Sequence, residues 1–218
     1  DLEKILRYHV LLGRKTAADL IAGGGAQQTL YEFDGSATTL GLDTSSGVKL
    51  KDAVLTEATV TSADVAATNG VVHVIDKVLV PPGVLNVVQM AQLNPAFSTL
   101  VGAVVDAKLA ATLSGPGPFT VFAPTNDAFA AIASILPTLT EAQLVTVLTY
   151  HVLGDEVLSS AIPFGVPVAT VAGQSITINA STPPSIADTT ATAAGIVATD
   201  IRGSNGVIQI GRASCRER

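Results

Sequence analysis

The sequence predicts an α+β fold, and three observations carry that expectation. Apolar residues at helical spacing come first. Short alternating runs bounded by Gly, Pro, Ser and Thr come after them, and the βαβ alternation of a doubly wound sheet is missing. With 48% of 218 residues apolar, 14% charged and a mean hydropathy of +0.48, the chain can fill one sizeable core or two small ones.

The elements follow in order. Leu2, Ile5, Leu6 and His9 recur at helical spacing, which places Asp1 inside a helix. Val84 to Asn94 reads as a helix through Val84, Val87, Val88 and Ala91, ending before Pro95. Phe97 to Leu109 reads as a second, with Leu100, Val101, Val104, Val105 and Leu109 on its buried side. Gly115-Pro116-Gly117-Pro118 breaks it, and Phe119 to Ala123 alternates as a strand. Thr125 is expected to cap a short helix through Phe129, and Thr140-Glu141 to open one running to Tyr150 on Leu144, Val147 and Leu148. Antiparallel strands are then expected at Val166 to Val171, Ser175 to Ile178, Ala194 to Val197 and Gly206 to Ile208.

An internal repeat organises these elements. Leu6-Arg7-Tyr8-His9-Val10-Leu11 returns as Leu148-Thr149-Tyr150-His151-Val152-Leu153, and Leu2, Ile5 and Leu6 match Leu144, Val147 and Leu148. Thr68-Asn69-Gly70-Val71-Val72-His73 returns as Ser204-Asn205-Gly206-Val207-Ile208-Gln209. Two markers in the same order at similar spacing indicate a duplicated unit. Val80-Pro81-Pro82-Gly83 is the natural boundary, because Pro-Pro-Gly stops either element type. The domains are therefore expected at 1–82, a C-terminal part lacking about 59 upstream residues, and 84–209, nearly complete. Apolar surface left uncovered makes the first part expected to be loose or aggregation-prone.

The last nine residues, Ile210-Gly211-Arg212-Ala213-Ser214-Cys215-Arg216-Glu217-Arg218, resemble the conceptual translation of a short-read sequencing adapter, and 210–218 is read as an artefactual tail. On that reading Gln209 stands where a histidine codon is compatible. Leaving the tail out removes three Arg, one Glu and the lone Cys, and shifts the net charge from −6 to −8.

Charge and composition exclude several classes. An acidic chain with a pI near 4.9 argues against a nucleic-acid binder. No run of 18 apolar residues is present, so this segment is not expected to span a membrane. No Cys/His cluster has zinc spacing, and Gly23-Gly24-Gly25 lacks the Lys and Ser/Thr of a phosphate loop.

The motifs themselves resemble the fasciclin-like domain family. Phe119-Thr120-Val121-Phe122-Ala123-Pro124-Thr125-Asn126-Asp127-Ala128-Phe129 is similar to its first signature box, Tyr150-His151-Val152 to its central Tyr-His pair, and Asn205 to Ile208 to its closing box. Asn69 to Pro81 resembles that closing box in full. The first copy lacks the opening box, and the second carries Gln209 where the family has His. The resemblance implies a wedge-shaped β-sandwich with flanking helices, secreted or displayed on cells (periplasmic if the source is bacterial). It implies adhesion to a protein or glycan of matrix or cell surface, with no catalysis and no cofactor. Oligomeric state is left open.

Several residues carry two readings. His9 and His151, each after Tyr8 or Tyr150, are either a general base or exposed adhesive pair, or part-buried imidazoles bonding the backbone at a helix-to-strand turn. No Ser or Cys nucleophile and no orienting group accompanies them in sequence, which favours the second; a hydrolase-like enzyme using the pair as acid and base is the alternative function. His73, beside a strand core, is read as structural. Asp200-Ile201, matched by Asp64-Val65, sits where the family resemblance links an Asp-Ile to integrin-type receptor contact, the carboxylate completing a receptor metal site. Against that stands an Asp capping a turn while Ile fills the core. Asn69-Gly70 and Asn205-Gly206 are tight-turn chemistry. Phe119, Phe122 and Phe129 belong to the core, and Asn179-Ala180-Ser181 fits an N-glycosylation sequon. A purely structural spacer is the third functional reading.

Overall fold

The computed structural model describes residues 1–45, 47–187 and 194–212, with Arg212 in its backbone alone. The chain forms two compact units, Asp1–Val84 and Leu85–Arg218.

In the first unit, α1 (Leu2–Tyr8) has Asp1 as its N-cap residue, so Asp1 borders the helix instead of lying within it. Helix α2 (Ala17–Gly23) opens on a capping box in which Thr16 and Asp19 satisfy each other's backbone N–H, worth about 1 kcal/mol. Five antiparallel strands follow in sheet order: β1 (Ala26–Phe33), β2 (Ser36–Asp43), β3 (Lys49–Lys51), β4 (Glu57–Ala67) and β5 (Gly70–Ile75). Strand β4 pairs with β3 through Glu57–Thr59 and with β5 from Val60 onward. Tyr8, Tyr31, Leu40, Leu50, Ala58 and Leu79 gather into the core, the Tyr8 and Tyr31 rings meeting edge to face at 6.3 Å. Buried Asp52 accepts the N–H groups of Val54, Thr56 and Val80 and the Thr56 hydroxyl, tying the end of the unit into its middle.

The second unit begins with α3 (Val87–Leu93), opened by an Asn86–Gln89 capping box. The helix expected over Phe97 to Leu109 is instead a 3-10 turn at Pro95–Phe97, then α4 (Ser98–Asp106), then α5 (Ala110–Leu113). Lys108 interrupts it with a left-handed φ of 58°, which ends α4 as a C-terminal stop does. Strand β6 (Phe119–Pro124) and helices α6 (Asn126–Ala130) and α7 (Glu141–Tyr150) lie where the pattern places them. Thr125 occupies the N-cap position of α6 but makes no side-chain cap bond. The remaining strands are β7 (Val152–Leu153), β8 (Pro167–Ala169), β9 (Ser175–Asn179), β10 (Ser185–Ala187), β11 (Ala194–Arg202) and β12 (Gly206–Arg212). Residues 213–218 of the tail lie outside the described residues, while Ile210 to Arg212 complete β12.

The sheet runs β7-β6-β12-β11-β10-β9-β8. One expectation needs correction: β12 pairs in parallel with β6, so the strands are not all antiparallel. That pairing places β12 deep in the unit. Val207, Ile208, Gln209 and Ile210 are all buried, on both faces, as befits a parallel pair covered on each side. The mixture of helices and sheets is the α+β class expected.

Comparing the copies shows what cover does. Ile208 and Ile210 are 2% and 6% exposed, whereas their counterparts Val72 and Val74 on β5 are 52% and 46% exposed. Limited proteolysis is therefore expected to cut Asp1–Val84 before Leu85–Arg218, and equal resistance of the two would contradict it.

Glycine chemistry differs in the same way. Gly206 has φ 153°, and a Cβ there would lie 2.1 Å from the Phe119 carbonyl oxygen, whereas one at Gly70 would meet nothing within 4 Å. Gly206→Ala should cost on the order of 2–4 kcal/mol and Gly70→Ala under about 1 kcal/mol, read as shifts in thermal unfolding.

Candidate functional site

The two Tyr-His pairs end their helices, and in both the imidazole turns back on the main chain. His9 Nδ1 lies 2.7 Å from the Ile5 carbonyl, and its Nε2 accepts the Leu79 N–H at 3.0 Å. Both ring nitrogens are thus committed to backbone, one donating and one accepting, which fixes the neutral ring as the Nδ1–H tautomer. His151 Nδ1 makes the matching contact to the Val147 carbonyl at 2.8 Å. Tyr8 is fully buried and donates to the Thr39 carbonyl; burial first, then the nearby Asp52 carboxylate, push its phenol well above the ordinary tyrosine range. Tyr150 is half-buried, its ring edge to face with His151 at 6.3 Å.

The Asp pairs sit on β-bulges. Asp64 (φ 58°) and Asp200 (φ 60°) both adopt the left-handed conformation, and the strand registers shift at both. A non-Gly residue held there needs compensation, and an identical set of bonds supplies it in each unit. Asp64 Oδ1 accepts the Ala17 N–H at 2.9 Å; Asp200 Oδ1 accepts the Ser159 N–H at 2.8 Å. The Asp64 N–H donates to His73 Nδ1 at 3.4 Å; the Asp200 N–H donates to Gln209 Oε1 at 3.0 Å. His73 Nε2 donates to the Lys15 carbonyl at 2.8 Å; Gln209 Nε2 donates to the Val157 carbonyl at 3.1 Å. Ala17 and Lys15 in the first unit stand where Ser159 and Val157 stand in the second, each counted from its Tyr-His pair. The bulge is clasped to the loop that follows the Tyr-His helix, and a His in one unit does what a Gln does in the other.

The second clasp is the tighter. Asp200 also accepts from the Ser159 hydroxyl and from Gln209 Nε2. Burial alone would raise its carboxyl, but hydrogen bonds from Ser159 and Gln209, with Arg202 nearby, outweigh burial and hold it below the usual carboxylate range.

Exposure separates the two copies. Asp64 is exposed and Val65 is 46% exposed, whereas Asp200 is half-buried and Ile201 only 4% exposed. Of the eight residues singled out from sequence, the fold leaves Asp64 and Val65 open to solvent and buries Tyr8 and Ile201. Sequence reasoning missed Ala17, Lys15, Ser159 and Val157 as clasp partners. Their constant distance from the Tyr-His pairs was the available signal. Among the described residues no group of three or more His, Cys, Asp or Glu could hold a metal ion, and no helix is long and apolar enough to cross a membrane.

A folded-state carboxyl depressed below its unfolded value stabilises above the unfolded carboxylate range, and that contribution is lost as pH falls through the folded value. Asp200→Asn should therefore flatten the acid side of the stability–pH curve of the second unit. Asp200→Ala should cost on the order of 2–4 kcal/mol in denaturant unfolding at neutral pH, because it leaves the Ser159 N–H and hydroxyl without their acceptor and removes one of the two bonds from Gln209 Nε2.

The chain is 39% identical over 131 residues to protein sll1483 of Synechocystis, covering 58% of this chain and 70% of that protein. It is 42% identical over 80 residues to the cell surface glycolipoprotein MPB83 of Mycobacterium bovis, covering 33% of this chain and 36% of that one. The fold matches the solved domain pair of the insect cell adhesion molecule fasciclin I with a TM-score of 0.59 and 18% identity, over 99% of this chain and 80% of that one. The fasciclin domain profile matches residues 1–81 and 95–210, and the chain belongs to the fasciclin domain family.

Proposed function

We propose that this chain is a non-catalytic adhesion module, acting outside the cell or at its surface through contacts with a protein or glycan. The observation that carries the reading is the Asp64–Val65 pair. A carboxylate and an apolar side chain stand exposed side by side on a bulge whose backbone is fixed by Ala17 and His73. A rigid, exposed contact loses little conformational entropy on binding. The likeness to a cell adhesion molecule in fold, and to a cell surface glycolipoprotein in sequence, supports the same reading. So does the commitment of both His9 nitrogens to main-chain partners, which leaves no base at the first Tyr-His pair.

The test is binding of the intact chain to immobilised matrix proteins, cell-surface glycans and whole cells, against an unrelated acidic protein. The expected result is retention above that control, reduced about tenfold by Val65→Ser, which removes the apolar contact and leaves the clasp intact. Retention no greater than the control across all three surfaces would overturn the reading.

A further inference from the structure

The two Asn-Gly sequences of the repeat are chemically unequal. Asn205 is locked. Its Oδ1 accepts the Val87 N–H at 3.0 Å, and its Nδ2 donates to the Leu113 and Gly115 carbonyls at 2.9 and 2.8 Å. Its own carbonyl accepts the Phe119 N–H at 3.0 Å, and Gly206 beside it is wedged against Phe119. Turning the Asn205 side chain toward the Gly206 nitrogen would break three hydrogen bonds in a space with no room for the movement.

Asn69 has none of these restraints. It lies with Thr68 in the two-residue turn between β4 and β5, both residues exposed. No described residue hydrogen-bonds its amide, and around Gly70 there is open space to 4 Å. Gly70 is the first residue of β5, paired with Ala67 at the outermost rung of the hairpin, where fraying frees its nitrogen most readily.

We propose that Asn69 is a site of spontaneous covalent modification, and that Asn205 is protected by its fold. The Gly70 backbone nitrogen, losing its proton, attacks Asn69 Cγ. A new N–C bond closes a five-membered succinimide, the Cγ–Nδ2 bond breaks, and Nδ2 leaves as ammonia. Solvent water then opens the ring at either carbonyl, giving aspartate or isoaspartate. No oxidant or reductant is needed. Gly at the following position is what makes the attack accessible, since no Cβ blocks the approach. The product adds one negative charge to the hairpin that also carries Asp64 and Val65, and the isoaspartate form lengthens the turn backbone by one carbon.

The experiment is incubation of the folded chain in mildly alkaline buffer, followed by trypsin digestion and mass spectrometry. Cleavage after Lys51, Lys77, Arg202 and Arg212 puts the two asparagines on separate peptides. The expected result is a gain of about one dalton, with isoaspartate, in the Asn69 peptide, and none over the same interval in the Asn205 peptide. In denaturant both peptides should gain it. Gly70→Ala should slow the gain at Asn69 in the folded chain. Equal gain at both sites in the folded chain overturns the proposal, and so does an unmodified Asn69 peptide there, whatever the denatured sample shows.

Discussion

Each unit depends on a carboxylate placed at a strand bulge. A left-handed aspartate is costly in isolation, yet both units keep one, because its oxygen and its N–H reach two separate parts of the chain at once. The oxygen holds the N–H of Ala17 or Ser159 in the loop after the Tyr-His helix, and the N–H finds His73 or Gln209 on the next strand. Helix, loop and hairpin are joined at one point that is polar and largely satisfied. Such a network fixes a unique geometry better than an apolar contact of the same size.

From that point the two units differ in the bonds around the carboxylate and in how far the flanking strands are covered. Strand β12 lies between β6 and β11 and is buried on both faces, so Ile208 and Ile210 become core together with Ile201 on β11. Among the described residues β5 is the edge strand of its sheet, and Val65 on β4 and Val72 and Val74 on β5 lie on the surface. The matching residues are thus buried in one unit and exposed in the other.

Much of this was legible in the residues. The repeat, the α+β class and the helix ending at Tyr150 follow from spacing and punctuation. The reading of His9 as a backbone-bonded turn lock matches the geometry, as does that of Asp200 as a turn cap with Ile201 in the core. Three things were not legible. The parallel pairing of β6 with β12 joins strands 87 residues apart from Phe119 to Gly206, and periodicity carries no information about partner or direction. The break at Lys108 depends on a left-handed residue that no Gly or Asn marks. The equivalence of His73 and Gln209 rests on both side chains presenting an acceptor and a donor at similar separation, which only the geometry of the partners reveals.

In the first unit the His73 imidazole serves the clasp and the His9 imidazole serves the turn, in opposite tautomers. A long-range nitrogen–proton NMR spectrum of the chain with its histidines labelled reads this directly. The expected result is His73 carrying its proton at Nε2, with Nδ1 accepting from the Asp64 amide, and His9 carrying its proton at Nδ1. His73 found protonated at Nδ1, or exchanging freely between tautomers, would contradict it.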